Sequence, residues 1–287
     1  MSEGKMVKFT KMHGLGNDYI YFDCIEDANL IKDVAEVAVK LSDRHFSIGG
    51  DGIVLILKHD VVDYQMRMFN ADGSEAEMCG NAIRCVAKYL CDNNYVTESN
   101  VKIATGAGIL AIEIHRNENN KFISATVDMG EPILNGLSIP TTIDKDKVVG
   151  EIISLENDNS YLMTCVSMGN PHAVIFTGEI TDEQVLVDGK ELEVHKFFPN
   201  RINVEFVKII NKNEVEMRVW ERGSGETMAC GTGACAVCVA AKLNGLTEDK
   251  VTVQLLGGDL EIEWNQENNH VYMTGTATTA FEGVVEI

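Results

Sequence analysis

Two stretches of this chain are versions of one another, and that duplication limits the fold more than any other feature. RMFNADGSEAEMCGNAIRC occupies residues 67–85 and RVWERGSGETMACGTGACA residues 218–236. One step of 151 residues carries Arg67 to Arg218, Asn70 to Glu221, Cys79 to Cys230 and Gly80 to Gly231. The register persists downstream, where VKIATGAGILAIEI (101–114) matches VTVQLLGGDLEIEW (251–264) at a step of 150, and VDMGEP then answers VYMTGTA. Upstream, Gly16-Asn17 and Gly169-Asn170 each lead into an apolar run, 153 residues apart. A repeat of this length specifies two units of like architecture, and 287 residues suit two domains better than one.

Within each copy the periodicities switch between strand and helix. Apolar residues at 30, 31, 34, 37, 38 and 41 give a scaffold helix within 27–44. Residues 83, 86, 87, 90 and 91 mark one buried helical face behind Cys79, with Asn81 expected as the N-cap. The equivalent GTGACAVCVAAKLNG is small and apolar nearly all round, so it belongs in the middle of a domain wrapped by strands, capped by Thr232 and stopped at Asn244-Gly245. Apolar strands follow the glycines at 49, 50 and 52, and a matching one runs through FPNRINVEFVKII. The expected domains are 1–130 with 277–287, because FEGVVEI has no counterpart after residue 133, and 131–276.

Composition excludes several classes. Forty-four acidic against 24 basic residues give a net charge of −20, which disfavours nucleic acid and anionic membrane surfaces as partners. The opening MSEGKMVKF lacks the apolar core of a signal peptide, so the expected location is the cytoplasm. Eight cysteines spread over this length read as reduced thiols rather than a disulfide scaffold, and Cys85, Cys91, Cys235 and Cys238 read as core. Cys230, Cys235 and Cys238 do not make a zinc site, since the last two lie inside the helix and no second ligand pair stands at finger spacing. No GxxxxGK[ST] or GxGxxG accompanies the glycines at 49, 50 and 52, so no nucleotide site is expected.

The remaining signals converge on the two cysteines. Each precedes a helix N-terminus, where unpaired amides and the helix dipole favour an anion and would lower a thiol pKa. The amides of Gly80, Asn81, Gly231 and Thr232 could hold a substrate carboxylate between two helix ends. Either cysteine alone reads as a buried structural residue; the matched pair suits removal of a proton from one face of a carbon and delivery to the other. Asn17 and Asn170, alone a pair of turn residues, become polar readers once matched. His172 could hold a thiol proton or simply be structural. Glu221 stands where the first copy has Asn70, so the halves differ where a carboxylate could bias the thiols, and Arg222 could clamp a second carboxylate.

These residues carry a family resemblance. KMHGLGNDY, FNADGSEAEMCGN, VSMGNPH, RINVEF and ERGSGETMACGTGAC together resemble the diaminopimelate epimerases, nearly end to end. The resemblance implies an α/β (α+β) fold of two pseudo-symmetric domains, each a curled, mainly antiparallel sheet around a central helix, with the active site in the cleft between them. It implies reversible interconversion of LL- and meso-2,6-diaminopimelate in lysine and peptidoglycan precursor biosynthesis, with no cofactor and no metal, in a cytoplasmic homodimer. Cys79 and Cys230 would be the acid and base pair, tuned by His172 and Glu221. Substrate contacts would fall on Asn17, Asn70, Gly80, Asn81, Asn170, Asn203, Glu221, Arg222, Gly231 and Thr232. Two departures stand out: Gly52 where many members place a substrate-binding glutamine, and Ala82 where glycine is usual. The rival within the superfamily is a proline or hydroxyproline racemase or hydroxyproline epimerase, and outside it a thiol redox switch.

Overall fold

The computed structural model describes residues 5–287. It divides into two compact units, one running up to Val127 and including Gly275–Ile287, the other Asp128–Thr274. The first contains β1 (Met6–Gly14), β2 (Asn17–Asp23), α1 (Val34–Ser42), β3 (Gly52–Lys58), β4 (Tyr64–Asn70), β5 (Glu75–Ala76), α2 (Gly80–Asp92), β6 (Asn100–Thr105), β7 (Gly108–Arg116) and β8 (Phe122–Asp128). The second contains β9 (Glu151–Ser154), β10 (Ser160–Ser167), β11 (Pro171–Phe176), a π-helical turn (Glu183–Asp188) running into α3 (Gly189–Glu193), β12 (Asn203–Asn211), β13 (Glu214–Glu221), β14 (Gly225–Glu226), α4 (Gly231–Leu243), β15 (Lys250–Leu255), β16 (Gly258–Trp264) and β17 (Val271–Gly275). The closing strand β18 (Thr278–Glu286) pairs antiparallel with β1.

The duplication is explicit in the pairing. In the first unit β2 runs parallel to β3, β3 antiparallel to β4, β4 parallel to β6, and β6, β7 and β8 form antiparallel neighbours. In the second unit β11 runs parallel to β12, β12 antiparallel to β13, β13 parallel to β15, and β15, β16 and β17 are again antiparallel. Each unit is therefore a mixed but mainly antiparallel sheet, with its cysteine-headed helix between the third and fourth long strands of that pattern, β4 and β6 or β13 and β15.

The runs YIYF in β2 and IVLIL in β3 are continuously apolar because both faces of the sheet are covered. Ile20, Phe22, Ile53, Leu55 and Phe69 join Ala38 and Leu41 of α1 in one buried cluster. The alternate residues turn the other way, and Tyr21 reaches the carbonyl of Ala82 in α2 at 3.4 Å. In the second unit Ala173, Ile175, Val204 and Phe206 pack with Leu192 of α3, while α4 lies against β10, β11, β12, β15 and β16. No helix among the described residues is long and apolar enough to cross a membrane.

Two local expectations change. The first helix starts at Val34 rather than near Asp27, because the Asp27 side chain and carbonyl hold a turn through Asn29 and Leu30 and Asp33 adopts φ 45°. The stripe expected on α2 is not its only buried face: ten of its thirteen residues are buried, as are ten of thirteen in α4. Arg84 is fully buried in α2 because its guanidinium donates to Gly80 O (2.9 Å), Asn81 Oδ1 (2.8 Å) and Thr276 O (3.3 Å). Arg84→Ala leaves those acceptors and a cavity behind, so urea unfolding should show a loss of about 3 kcal/mol or more. Lys88→Ala, at an exposed i,i+4 pair with Asp92 on the same helix, should cost about 1 kcal/mol or less; equal losses would mean that burial at Arg84 carries no special weight.

Candidate active site

Neither Asn81 nor Thr232 caps its helix; the cysteine before each does. Cys79 and Cys230 occupy the N-cap positions in extended conformation, φ −143° and −118°. At Cys230 the sulfur takes the place of the usual hydroxyl and accepts the Gly233 amide at 3.4 Å, with Thr232 Oγ1 at 3.5 Å. The thiols are thereby fixed at the mouths of buried helices, where the first-turn amides gather.

In the first unit Asn17, Cys79 and Asn81 come together. Asn17 Nδ2 donates to Asp51 Oδ2 at 2.7 Å, which leaves Asn17 Oδ1 to accept from Cys79 Sγ (3.3 Å) and Asn81 Nδ2 (3.4 Å). Asn81 Oδ1 in turn accepts from Arg84 Nη2. Asp51 only accepts and Arg84 only donates, so both amide orientations are set from outside. Arg44 anchors the far end by donating to Asp51 and Asp18. Gly80 lies at the first position of α2 with its carbonyl bound by Arg84. Asn70 sits apart from this chain of bonds, at the end of β4, donating to Ser74 Oγ at 3.0 Å. Asp51, Arg44 and Arg84 were absent from the sequence reading; the sole acidic residue among the glycines at 49–52 was the available signal.

In the second unit Asn170, His172, Glu221, Cys230 and Thr232 gather around a residue the sequence reading missed. Glu205 is fully buried, and its Oε1 lies 2.6 Å from His172 Nδ1; His172 Nε2 faces Asn170 Oδ1 at 3.1 Å. Strand period places Glu205 on the same face as Asn203, and Asn203 pairs across the parallel strands with His172. An acidic residue inside an apolar strand was the signal. Asn203 ties the site to the chain: Nδ2 donates to Pro171 O and Oδ1 accepts the Arg222 amide, both at 2.9 Å. The Arg222 side chain is exposed and donates to Asn200 O at 3.1 Å. Gly231 begins α4 and is buried. Gly233 leaves room for both side chains, since a Cβ there would stand 2.7 Å from Glu205 Oε1 and 3.2 Å from Cys230 Sγ.

The electrostatics of Cys230 reverse the expectation for a helix N-terminus. Burial, and then the Glu221 and Glu205 carboxyls, push its thiol well above the ordinary value, and the contacts from Thr232 and Gly233 only partly oppose them. Glu221 is also raised, first by burial and with Glu205 adding to it, against the Thr227 hydroxyl, His172 and the Cys230 thiol. Cys85 is buried in the core and pushed up to about 11 by desolvation.

A family model for diaminopimelate epimerase matches residues 9–135 and 164–280. The chain belongs to the diaminopimelate epimerase family. The proteins named diaminopimelate epimerase in Methanococcus maripaludis and Acetivibrio thermocellus are 54% and 53% identical to it, over 98% of this chain and 100% and 99% of theirs. Among solved structures, a hydroxyproline epimerase from Agrobacterium vitis shares the fold with TM-score 0.68 at 15% identity, covering 100% of this chain and 92% of that one. A PhzF-family phenazine biosynthesis protein from Bacillus anthracis does so with TM-score 0.68 at 17% identity, covering 99% and 100%. One departure from the family pattern has a structural cause: a Cβ at Gly52 would stand 2.0 Å from Phe69 O on β4, so this backbone admits no side chain there. At the other departure, Ala82 is fully buried on α2.

The raised Glu221 has a signed consequence. Its folded-state pKa lies above its ordinary 4.5, so the stability it contributes is present below that pH and is lost as pH rises through the folded value. At neutral pH the protein therefore carries the cost of a buried carboxylate that a neutral amide avoids. Glu221→Gln should melt at a higher temperature than the parent at neutral pH, with the gap closing as pH falls to 4.5. A gap independent of pH would remove burial of the charge as its cause.

Proposed function

We propose that the chain interconverts LL- and meso-2,6-diaminopimelate by inverting one α-carbon, with Cys79 and Cys230 as the two bases and no cofactor. The observation that carries this reading is the cysteine at the N-cap of a buried helix, present once in each unit. One thiolate removes the α-proton and becomes a thiol, while the other thiol gives its proton to the opposite face and becomes a thiolate. The two exchange roles with reaction direction. Charge builds on the α-carboxylate as the proton leaves, and the amides of Gly80, Asn81, Gly231 and Thr232 are the donors that would meet it; a preorganised donor at such a place is worth about 3–4 kcal/mol.

The raised pKa of Cys230 supports its being the proton donor in the resting enzyme, with Cys79 the acceptor. His172, held by Glu205 at 2.6 Å, and Glu221 adjust the thiols. Asn17, Asn70, Asn170 and Asn203 read the ammonium and carboxylate groups, and Arg222 clamps the carboxylate of the distal amino-acid head. That second head group favours diaminopimelate over proline or hydroxyproline. The partner is this small amino acid rather than nucleic acid or a membrane, in keeping with a net charge of −20, and the expected assembly is a cytoplasmic homodimer.

Chiral chromatography of purified protein under reducing conditions tests the assignment. Cys79→Ala and Cys230→Ala should each lose about 10³-fold or more in epimerisation, and proline and hydroxyproline should not be turned over. Near-parental turnover by either variant would remove the two-base assignment; turnover of proline instead of diaminopimelate would replace the substrate.

A further inference from the structure

We propose that Cys230, His172 and Glu205 form an inhibitory binding site for a soft divalent cation of the zinc and cadmium class, a cation that takes no part in the reaction itself. One thiol, one imidazole and one carboxylate present ligand atoms that all lie within 4.8 Å of one another, and all three residues are buried. Thiolate, imidazole and carboxylate are the donors zinc takes, at about 2.3, 2.0–2.1 and 2.0–2.2 Å, so in a tetrahedron their atoms stand about 3.3–3.6 Å apart. The Nδ1 to Oε1 contact of 2.6 Å would open by about 1 Å or less, and the widest separation, within 4.8 Å, would close by up to about 1.5 Å.

Three further observations single out this cluster. Glu205 Oε2 is buried with no hydrogen-bond partner, an unpaired carboxylate oxygen in a dry place that a cation would satisfy. Asn170 Oδ1 only accepts, so it holds the hydrogen of His172 on Nε2. That leaves the Nδ1 lone pair to a cation, the outer-shell arrangement that orients metal-bound histidines. Gly233 supplies the room, since a Cβ would fill the space beside both Glu205 Oε1 and Cys230 Sγ.

The charge also closes. A +2 ion held by one thiolate, one neutral imidazole and one carboxylate makes a neutral buried complex, the ligand protons leaving as it binds. The Glu221 carboxyl also faces the thiol. Cys235 and Cys238 take no part, because the partners of Cys230 here come from β11 and β12 rather than from its own helix. Binding as such is independent of the proposed reaction; only its inhibitory effect rests on that reading, since it occupies the thiol proposed as acid.

Titration of the reduced full-length protein with cadmium, followed by the ultraviolet charge-transfer absorption of the cadmium–thiolate bond, tests the site without reference to turnover. One equivalent should bind with that absorption, Cys230→Ala should abolish it, and Glu205→Gln should weaken binding about tenfold or more. X-ray absorption of the zinc-loaded parent, which needs no variant to fold, should give one sulfur and one imidazole. Absence of the band, its survival in Cys230→Ala, unaltered affinity in Glu205→Gln, or a zinc shell with two sulfurs or none would each overturn the proposal. A protein that binds cadmium in this way yet keeps full epimerisation would retain the site and lose its inhibitory role.

Discussion

Each unit depends on one packing relation, a thirteen-residue helix laid among strands with ten of its residues buried. A helix buried that fully cannot leave its first-turn amides to bulk water, so they must find partners at its mouth. In α4 the small residues Gly233, Ala234, Ala236 and Ala240 let the strands approach. In α2 the same burial encloses Arg84, whose bonds to Gly80, Asn81 and Thr276 tie the helix mouth to the returning chain end. A cysteine at the N-cap is what the scaffold then places at each mouth.

The scaffold is duplicated but its electrostatics are not. Cys79 Sγ bonds the neutral amide of Asn17, which is joined to Asn81 and oriented from outside by Asp51 and Arg84. Around Cys230 they are the buried carboxyls of Glu205 and Glu221 with His172. Two carboxyls beside a buried sulfur favour its neutral form over the thiolate. Divergence between the copies, with Glu221 in place of Asn70, thus makes two chemically identical side chains unequal. In a two-base reaction that inequality assigns the resting proton.

Much of the fold could be read from the residues because the repeat supplied two independent readings of most elements, and pairing then follows from alternation and turn glycines. What escaped was set by tertiary partners. Propensity favours Asn81 and Thr232 as caps, but a sulfur can accept an amide bond, and Cys230 does so from Gly233. Stripe counting treats Arg84 as solvent-facing, although carbonyls can satisfy it inside. His172 stood open between assisting a thiol and a structural role, because its two ring partners, Glu205 and Asn170, lie on another strand and in the preceding turn. The helix-end argument for an acidic thiol failed at Cys230 because desolvation and two carboxyls outweigh a dipole of about half a charge.

The central claim is that two unequal thiols act in turn, one removing and the other supplying the proton. Early-time turnover in deuterium oxide, with LL- and meso-diaminopimelate offered separately and both isomers followed by mass spectrometry, tests it most directly. The account predicts that deuterium enters the newly formed isomer while the remaining starting isomer stays unlabelled. Deuterium returning to the starting isomer as fast as product forms would mean that a single base serves both faces, and would contradict it.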